Sequence, residues 1–146
     1  MTRRDSTTLD LFEWNPPVIA HDDAQVRSNT FRGRVSRAVS TTLSECGMSR
    51  GEVAAAMAAA GVPVSENVLN RAASESDDEH MLGIERLWAL CRVTGDWRPI
   101  AVMLDGSDKV VIDRKYLGAV REAMAQAEIE RLESIKRVAR REWRGA

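Results

Sequence analysis

The sequence predicts an all-α protein with a compact helical domain, an extended N-terminal arm and a long C-terminal helix. Apolar residues recur at helical spacing along most of the 146 residues, and Ser or Asp precedes several of these stretches as a helix cap. One short run, residues 109–112, has the composition of a strand. We expect that run to pair with its copy in a dimer or to pack as extended chain. The predicted divisions are residues 1–22, 23–106 and 107–146.

Residues 1–22 are predicted to form the arm. The first ten residues are polar and lack periodicity, and Pro16 and Pro17 favour an extended or turned backbone. Phe12 and Trp14 are large apolar residues within this segment. Either they pack on the domain or on a second subunit, or they anchor a partner protein, because aromatic side chains dominate small interfaces.

A first helix is expected to run to Gly47, with Asp22 or Asp23 as its cap. Four arginines occupy the faces of this helix that its apolar residues leave, and no acidic residue stands between Asp23 and Glu45. A basic stripe of this kind is either a solvated helix face or a contact surface for phosphate groups. The arginines are Arg27, Arg32, Arg34 and Arg37.

Residues 48–75 indicate two short helices joined by a tight turn. Ser49 is suited to cap an alanine-rich helix, Gly61 stands where the end of that helix favours a positive φ, and Pro63 prevents continuation. Ser65 is suited to cap a second helix over residues 66–73. Such a pair is typical of a helix-turn-helix, whose second helix lies in the DNA major groove. The same pattern also occurs in helical hairpins that bind no nucleic acid.

The second helix of this pair would present its N-terminal side chains to base edges. Asn pairs with adenine, Arg with guanine, and Ser with several bases, so the outward residues have suitable chemistry. The alternative is an ordinary exposed helix face. The candidate base-reading residues are Ser65, Asn67, Asn70 and Arg71.

Three further segments complete the predicted order. Residues 74–80 form an acidic loop, which is expected to point away from DNA. Residues 81–94 predict a helix that ends at Gly95, and Asp96 is expected to cap a further short helix. Residues 114–143 predict one long helix whose apolar stripe drifts from a strict heptad. Because it needs to dock on the body or on another chain, we expect it to mediate a homodimer or higher oligomer.

The end of this long helix is strongly basic. Cations are favourable at a helix C-terminus, but five within nine residues exceed what capping requires. The formal net charge is −1, so the distribution of charge matters more than its total. This surface suits either nucleic acid or an acidic partner surface. Its basic residues are Lys136, Arg137, Arg140, Arg141 and Arg144.

The sequence argues against an enzyme and against a membrane protein. His21 and His80 are the two histidines, each beside acids in a predicted exposed loop, and no nucleophile elbow or Gly-rich phosphate loop occurs. We therefore expect no catalytic residue, no metal and no cofactor. Cys46 and Cys91 lack metal-ligand spacing and are predicted to be small buried residues in a reducing compartment. Without a bilayer-length apolar run or a signal peptide, a cytoplasmic location is expected.

The order SRGEVAAAMAAAG, SENVLNRAAS, LGIERLWALCRVTGDWRPIAVML resembles the Cro/CI-type helix-turn-helix proteins. Within these it is most similar to phage regulators of the CII type, in which TGD precedes an apolar helix, as Thr94, Gly95 and Asp96 do here. The chain is also similar to small proteins of Mu-like phages and prophages. The resemblance covers roughly residues 30–105 and implies a λ-repressor-like domain that binds operator DNA as a dimer or higher oligomer, with residues 65–71 as its reading helix. Glu66 and the acids after residue 74 depart from that pattern.

Two functions are therefore expected. The leading hypothesis is a phage or prophage regulatory protein that binds double-stranded DNA through a helix-turn-helix and oligomerises through residues 114–146. In that case the four arginines of the first helix and the basic C-terminal end contact phosphate, and residues 65–71 read bases. The alternative is a protein-interaction module of the same fold that binds a partner protein, with Phe12 and Trp14 as anchors.

Overall fold

The computed structural model of the chain describes residues 17–76 and 81–145. The described chain is mostly helical with a small two-stranded sheet, so the predicted predominance of helices is confirmed. The chain forms two compact units. One unit is Val18–Val111, and the other contains the long C-terminal helix.

Most elements lie where caps and glycines predicted them. In the described residues the helices are α1 (Asp23–Val26), α2 (Phe31–Glu45), α3 (Arg50–Ala59), α4 (Glu66–Ala72), α5 (Ile84–Thr94), α6 (Arg98–Val102) and α7 (Leu117–Arg144). The strands are β1 (Val18–Ile19) and β2 (Val111–Ile112), and a 3-10 turn, Arg114–Tyr116, precedes α7.

The predicted single helix between Asp22 and Gly47 is wrong, because the chain breaks between α1 and α2. Asp22 caps α1 by accepting a hydrogen bond from the Ala24 backbone N–H at 3.0 Å. Thr30 then caps α2, its hydroxyl accepting from the Gly33 N–H at 3.0 Å. Gly33 lets the intervening loop lie against α2, since a Cβ there would collide with the Ser28 hydroxyl. The Thr30 cap and the close packing of the loop against Gly33 therefore mark the start of a second helix.

Part of the strand-like run over residues 109–112 pairs within the chain, which neither of the two alternatives predicted. Val111–Ile112 pairs with Val18–Ile19. Two smaller corrections concern helix starts. Helix α5 begins at Ile84 after Gly83, so Met81 lies outside it. Trp97, and not Asp96, occupies the N-cap position of α6, although the Asp96 carboxylate still accepts from the Arg98 N–H at 3.0 Å.

The core of the Val18–Val111 unit draws buried residues from α2, α3, α4, α5 and α6. Helix α6 packs against α2 and α5, and α3 packs against α4 and α5. Val39, Met57 and Leu90 are fully buried there, and Leu69 brings α4 into the same cluster. Cys91 is buried and Cys46 is half-buried. This core fixes α4 with its Leu69 side inward, so the opposite side of α4 faces solvent.

Helix α7 differs from the other helices in having no buried residue along its 28 residues. Its large apolar side chains are exposed, from Leu117 at 37% to Trp143 at 76%. Among the residues that the structure describes, no helix combines the length and apolarity needed to cross a membrane. The apolar side of α7 is thus exposed on the surface of the single chain.

Candidate nucleic-acid interface

Helices α3 and α4 are each fixed by local hydrogen bonds. Ser49 and Glu52 form a reciprocal capping box, in which the Glu52 N–H donates to Ser49 Oγ at 3.2 Å and the Ser49 N–H donates to Glu52 Oε2 at 2.7 Å. At the other end of α3, Gly61 adopts a φ of +86°, which favours glycine. The turn then leads to Ser65, which caps α4. The ends of both helices thus follow from residues within the pair itself.

The outer side of α4 carries two of the predicted base-reading residues. Asn67 and Asn70 are exposed, whereas Arg71 is half-buried. Ser65 is exposed, but its hydroxyl accepts the Val68 N–H at 3.2 Å, so it serves as the cap. The two asparagine amides are therefore the predicted side chains on α4 that project most fully into solvent.

Glu66, the acid within α4, lies against the neighbouring helix. Its Oε2 is 3.5 Å from the position that a Cβ on Gly51 would occupy. This places the carboxylate beside the first turn of α3, where the helix dipole favours negative charge. A side chain larger than glycine at residue 51 would meet it. Glu66, which departs from the helix-turn-helix pattern, is thus an exposed acid beside the start of α3.

The four arginines of the predicted stripe differ in their partners. Arg34 forms an ion pair with Asp105, beyond α6, and Arg37 forms one with Glu75, beyond α4, at 2.8 Å. Arg34 and Arg37 stand three residues apart on the same side of α2, and each is engaged by an acid from a distant part of the chain. Arg27 is exposed and Arg32 is half-buried, and neither makes an ion pair with a residue that the structure describes.

Glu75 ties the segment after α4 to α2. Its two carboxylate oxygens accept from the Ser28 hydroxyl at 2.7 Å and from Arg37 Nε at 2.8 Å. These hydrogen bonds, first from Ser28 and then from Arg37, lower the pKa of Glu75. One residue of the predicted acidic loop is therefore paired with a basic residue. The remaining acids of that loop, Asp77, Asp78 and Glu79, lie outside the described residues.

The predicted basic end of α7 is exposed throughout. A shallow groove along it is lined by Glu133, Gly145 and all five predicted basic residues, Lys136, Arg137, Arg140, Arg141 and Arg144. A second shallow groove on the same helix is lined mostly by apolar atoms of Ile135, Val138 and Ala139, with Ser134 and Glu142. Basic and apolar surfaces thus lie side by side on α7.

Charge is distributed unequally between residues 18–111 and residues 112–146. Residues 18–111 carry ten Lys and Arg against thirteen Asp and Glu, a net charge of −3. Residues 112–146 carry nine basic against six acidic residues, a net charge of +3. The overall charge of −1 therefore conceals an acidic helical body and a basic C-terminal segment.

A partly buried polar cluster could not be predicted from the sequence. Asp96 accepts hydrogen bonds from Thr42 Oγ1 at 2.6 Å and from Arg98 Nε at 2.9 Å, and Arg98 also pairs with Glu45. His21 was predicted in an exposed loop but is buried, at 7% exposure. Asp96 was recognised as a cap, but its partner Thr42 lies 54 residues away along the chain. No local pattern reveals such a pairing.

The remaining predicted site residues cannot be placed or form no site within the described part of the chain. Phe12, Trp14 and His80 lie outside the described residues. Within residues 17–76 and 81–145, no group of three His, Cys, Asp or Glu side chains is arranged to hold a metal ion. No protein-family model, curated protein or solved structure matches this chain.

Proposed function

We propose that this protein is a regulatory protein of phage or prophage type that binds double-stranded DNA. Helices α3 and α4 are its helix-turn-helix, within a λ-repressor-like helical domain. Helix α4 enters the major groove, and α7 joins two copies so that two half-sites are read together. The protein acts in the cytoplasm.

The observation that carries this proposal is the way in which α3 and α4 are capped, connected and packed. Both are short and capped by serine, they are joined through Gly61, and Leu69 holds α4 on the core. The side of α4 opposite Leu69 bears Asn67 and Asn70, both exposed. A helix held rigidly from one side, with amide groups on the other, suits insertion into a groove.

Base reading in this proposal falls to Asn67 and Asn70. An asparagine amide donates and accepts at once, which matches the N6 and N7 positions of adenine. Each well-placed bidentate contact contributes about 1–3 kcal/mol of discrimination against a wrong base. Glu66 does not oppose this, because its carboxylate lies beside Gly51 at the start of α3.

Phosphate contacts in this proposal come chiefly from Arg27 and Arg32. Arg34 and Arg37 are already engaged by Asp105 and Glu75, and releasing them would leave those acids unpaired. Arg27 lines a shallow groove that also contains Asp22 and Asp23. Because these acids lower the local positive potential, we expect modest affinity per protomer and a strong dependence on dimerisation.

The test is selection of bound duplexes from a genomic fragment library by the full-length protein at low salt. The enriched fragments are then used in gel retardation against an unselected fragment of equal length. We expect enrichment of a short inverted repeat and retardation of fragments that contain it. If no fragment is enriched and none is retarded, the DNA-binding proposal is wrong.

A second candidate is a protein-interaction module with the same helical fold. The acidic body, with a net charge of −3, and the neutralised Arg34 and Arg37 favour it. In that case Trp14→Ala would abolish capture of the partner, whereas Asn70→Ala would leave it unchanged. The opposite pattern, with DNA retardation abolished only in Asn70→Ala, would exclude this candidate.

A further inference from the structure

We propose that two copies of α7 pair antiparallel, about a two-fold axis at the peptide bond between Glu133 and Ser134. This inference rests on the proposed self-association through α7, and it requires no DNA. In this pair the α7 helix of the second copy covers the exposed apolar side of the first.

The apolar side of α7 is too large to remain in water. Six of its large side chains are at least half exposed, and no residue of the helix is buried. A single helix without tertiary packing is marginal in water, so these side chains need a cover. They are Met124, Ile129, Leu132, Ile135, Val138 and Trp143.

The spacing of these six residues is symmetric. Successive members are five, three, three, three and five residues apart, so the series reads the same from either end. At about 100° per residue they fall within one half of the helix circumference. A two-fold contact is self-complementary, and antiparallel pairing about the centre of the series brings apolar residues level along its whole length. Leu132 comes level with Ile135 of the second copy, Ile129 with Val138, and Met124 with Trp143.

The charges of α7 select the same direction. Residues 122–130 contain three glutamates and no basic residue, whereas residues 137–145 contain four arginines and one glutamate. In the antiparallel register these two segments come level at both ends of the pair, so opposite charges attract twice. A parallel pair would set each segment beside its own copy, with like charges together.

This register leaves one pair of like charges opposite each other, because Arg131 comes beside Lys136 of the second copy. Arg131 is already paired within its own helix with Glu128, at 2.9 Å, which offsets that contact. The basic end of α7 thus finds an acidic surface in the second copy. The phosphate contacts of the proposed DNA complex then rest on Arg27 and Arg32 of the helical body.

The test measures distances between spin labels in the full-length protein without DNA. Labels are placed at Ala119→Cys or at Ser134→Cys in a Cys46→Ala background. Cys91 remains, because burial raises the pKa of its thiol to about 12 and keeps it unreactive. Ala119 lies 14.5 residues from the proposed centre, so its two copies are about 44 Å apart along the axis at 1.5 Å per residue. The two Ser134 labels lie almost level, so their separation is far shorter.

Short and equal separations at both positions would show a parallel pair and overturn the inference. A monomer in sedimentation at the labelling concentration would overturn self-pairing itself, while gel retardation still decides DNA binding separately. As a matched check, Leu132→Asp with Ile135→Asp is expected to give monomers. These residues lie outside the helical body, so thermal unfolding of the body is expected to stay unchanged.

Discussion

At the scale of single residues, His21 and Asp96 differ in how burial is compensated. Both ring nitrogens of His21 are buried without a hydrogen-bond partner among the described residues. Burial, followed by the positive charge of Arg98, lowers the pKa of His21 below its usual value of 6.5. Burial also acts to raise the pKa of Asp96, but hydrogen bonds from Arg98 and Thr42 prevail and lower it to about 2. Asp96 is thus held charged and His21 neutral.

We predict that acidification below pH 6.5 destabilises the protein through His21. The unfolded chain binds a proton at the ordinary pKa of 6.5, whereas the folded chain resists it, so the free energy of unfolding falls as pH drops from 6.5. The slope is at most about 1.4 kcal/mol per pH unit. The lowered pKa values of Glu45, Glu52 and Glu75 act mainly below about pH 4.5, so the comparison with a His21 variant at pH 5–7.5 isolates the histidine.

Urea unfolding of the wild type and of His21→Gln at pH 5.0, 6.0 and 7.5 measures this effect. The variant is expected to lack the slope because glutamine does not titrate. A wild-type unfolding free energy that is constant across this range would contradict the prediction.

At the scale of elements, the sequence predicted those helices whose ends are set by near neighbours. The bounds of α3 and α4 follow from Ser49, Gly61 and Ser65, which act within one or two turns. The start of α2 was missed because its loop is fixed at a distance: Ser28 hydrogen-bonds Glu75, 47 residues away. Likewise, β2 pairs with β1, which lies far from it in sequence, near the N-terminus. Local propensity cannot identify such contacts.

We predict that Gly61→Ala lowers the free energy of unfolding by about 1–2 kcal/mol, because an alanine at positive φ brings its Cβ against the following carbonyl. Gly51→Ala is the matched control within the same motif. Its Cβ would meet Glu66 Oε2 at an ordinary 3.5 Å, and alanine favours a helix more than glycine does. Chemical denaturation of the three proteins tests this. Equal effects of the two substitutions would show that the turn does not impose the glycine conformation.

At the scale of the whole molecule, the separation of charge decides where the proposed DNA affinity can arise. The body carries a net charge of −3 and residues 112–146 a net charge of +3, a division that the total of −1 hides. The candidate site was therefore only partly predictable. The sequence identified the exposed Asn67 and Asn70, but the pairing of Arg34 and Arg37 with distant acids emerged from the fold.

We predict that Arg27→Gln with Arg32→Gln reduces the salt dependence of DNA binding. The slope of log K against log salt should fall in magnitude by about 0.9 for each phosphate that the double variant no longer neutralises. Arg34→Gln is the matched control, and it should leave the slope unchanged because Asp105 already holds that side chain. Fluorescence anisotropy of a selected duplex at several salt concentrations gives the slopes. A larger change in Arg34→Gln than in the double variant would contradict this assignment.

The most direct test of the central claim is the affinity of α4 variants for the best selected duplex. At fixed salt, Asn67→Ala and Asn70→Ala should each weaken binding by about 1–3 kcal/mol and relax preference at one base position. Asn29→Ala, an exposed asparagine outside α4, should bind as the wild type does. If both α4 variants bind the selected duplex as tightly as Asn29→Ala and the wild type, α4 does not read DNA.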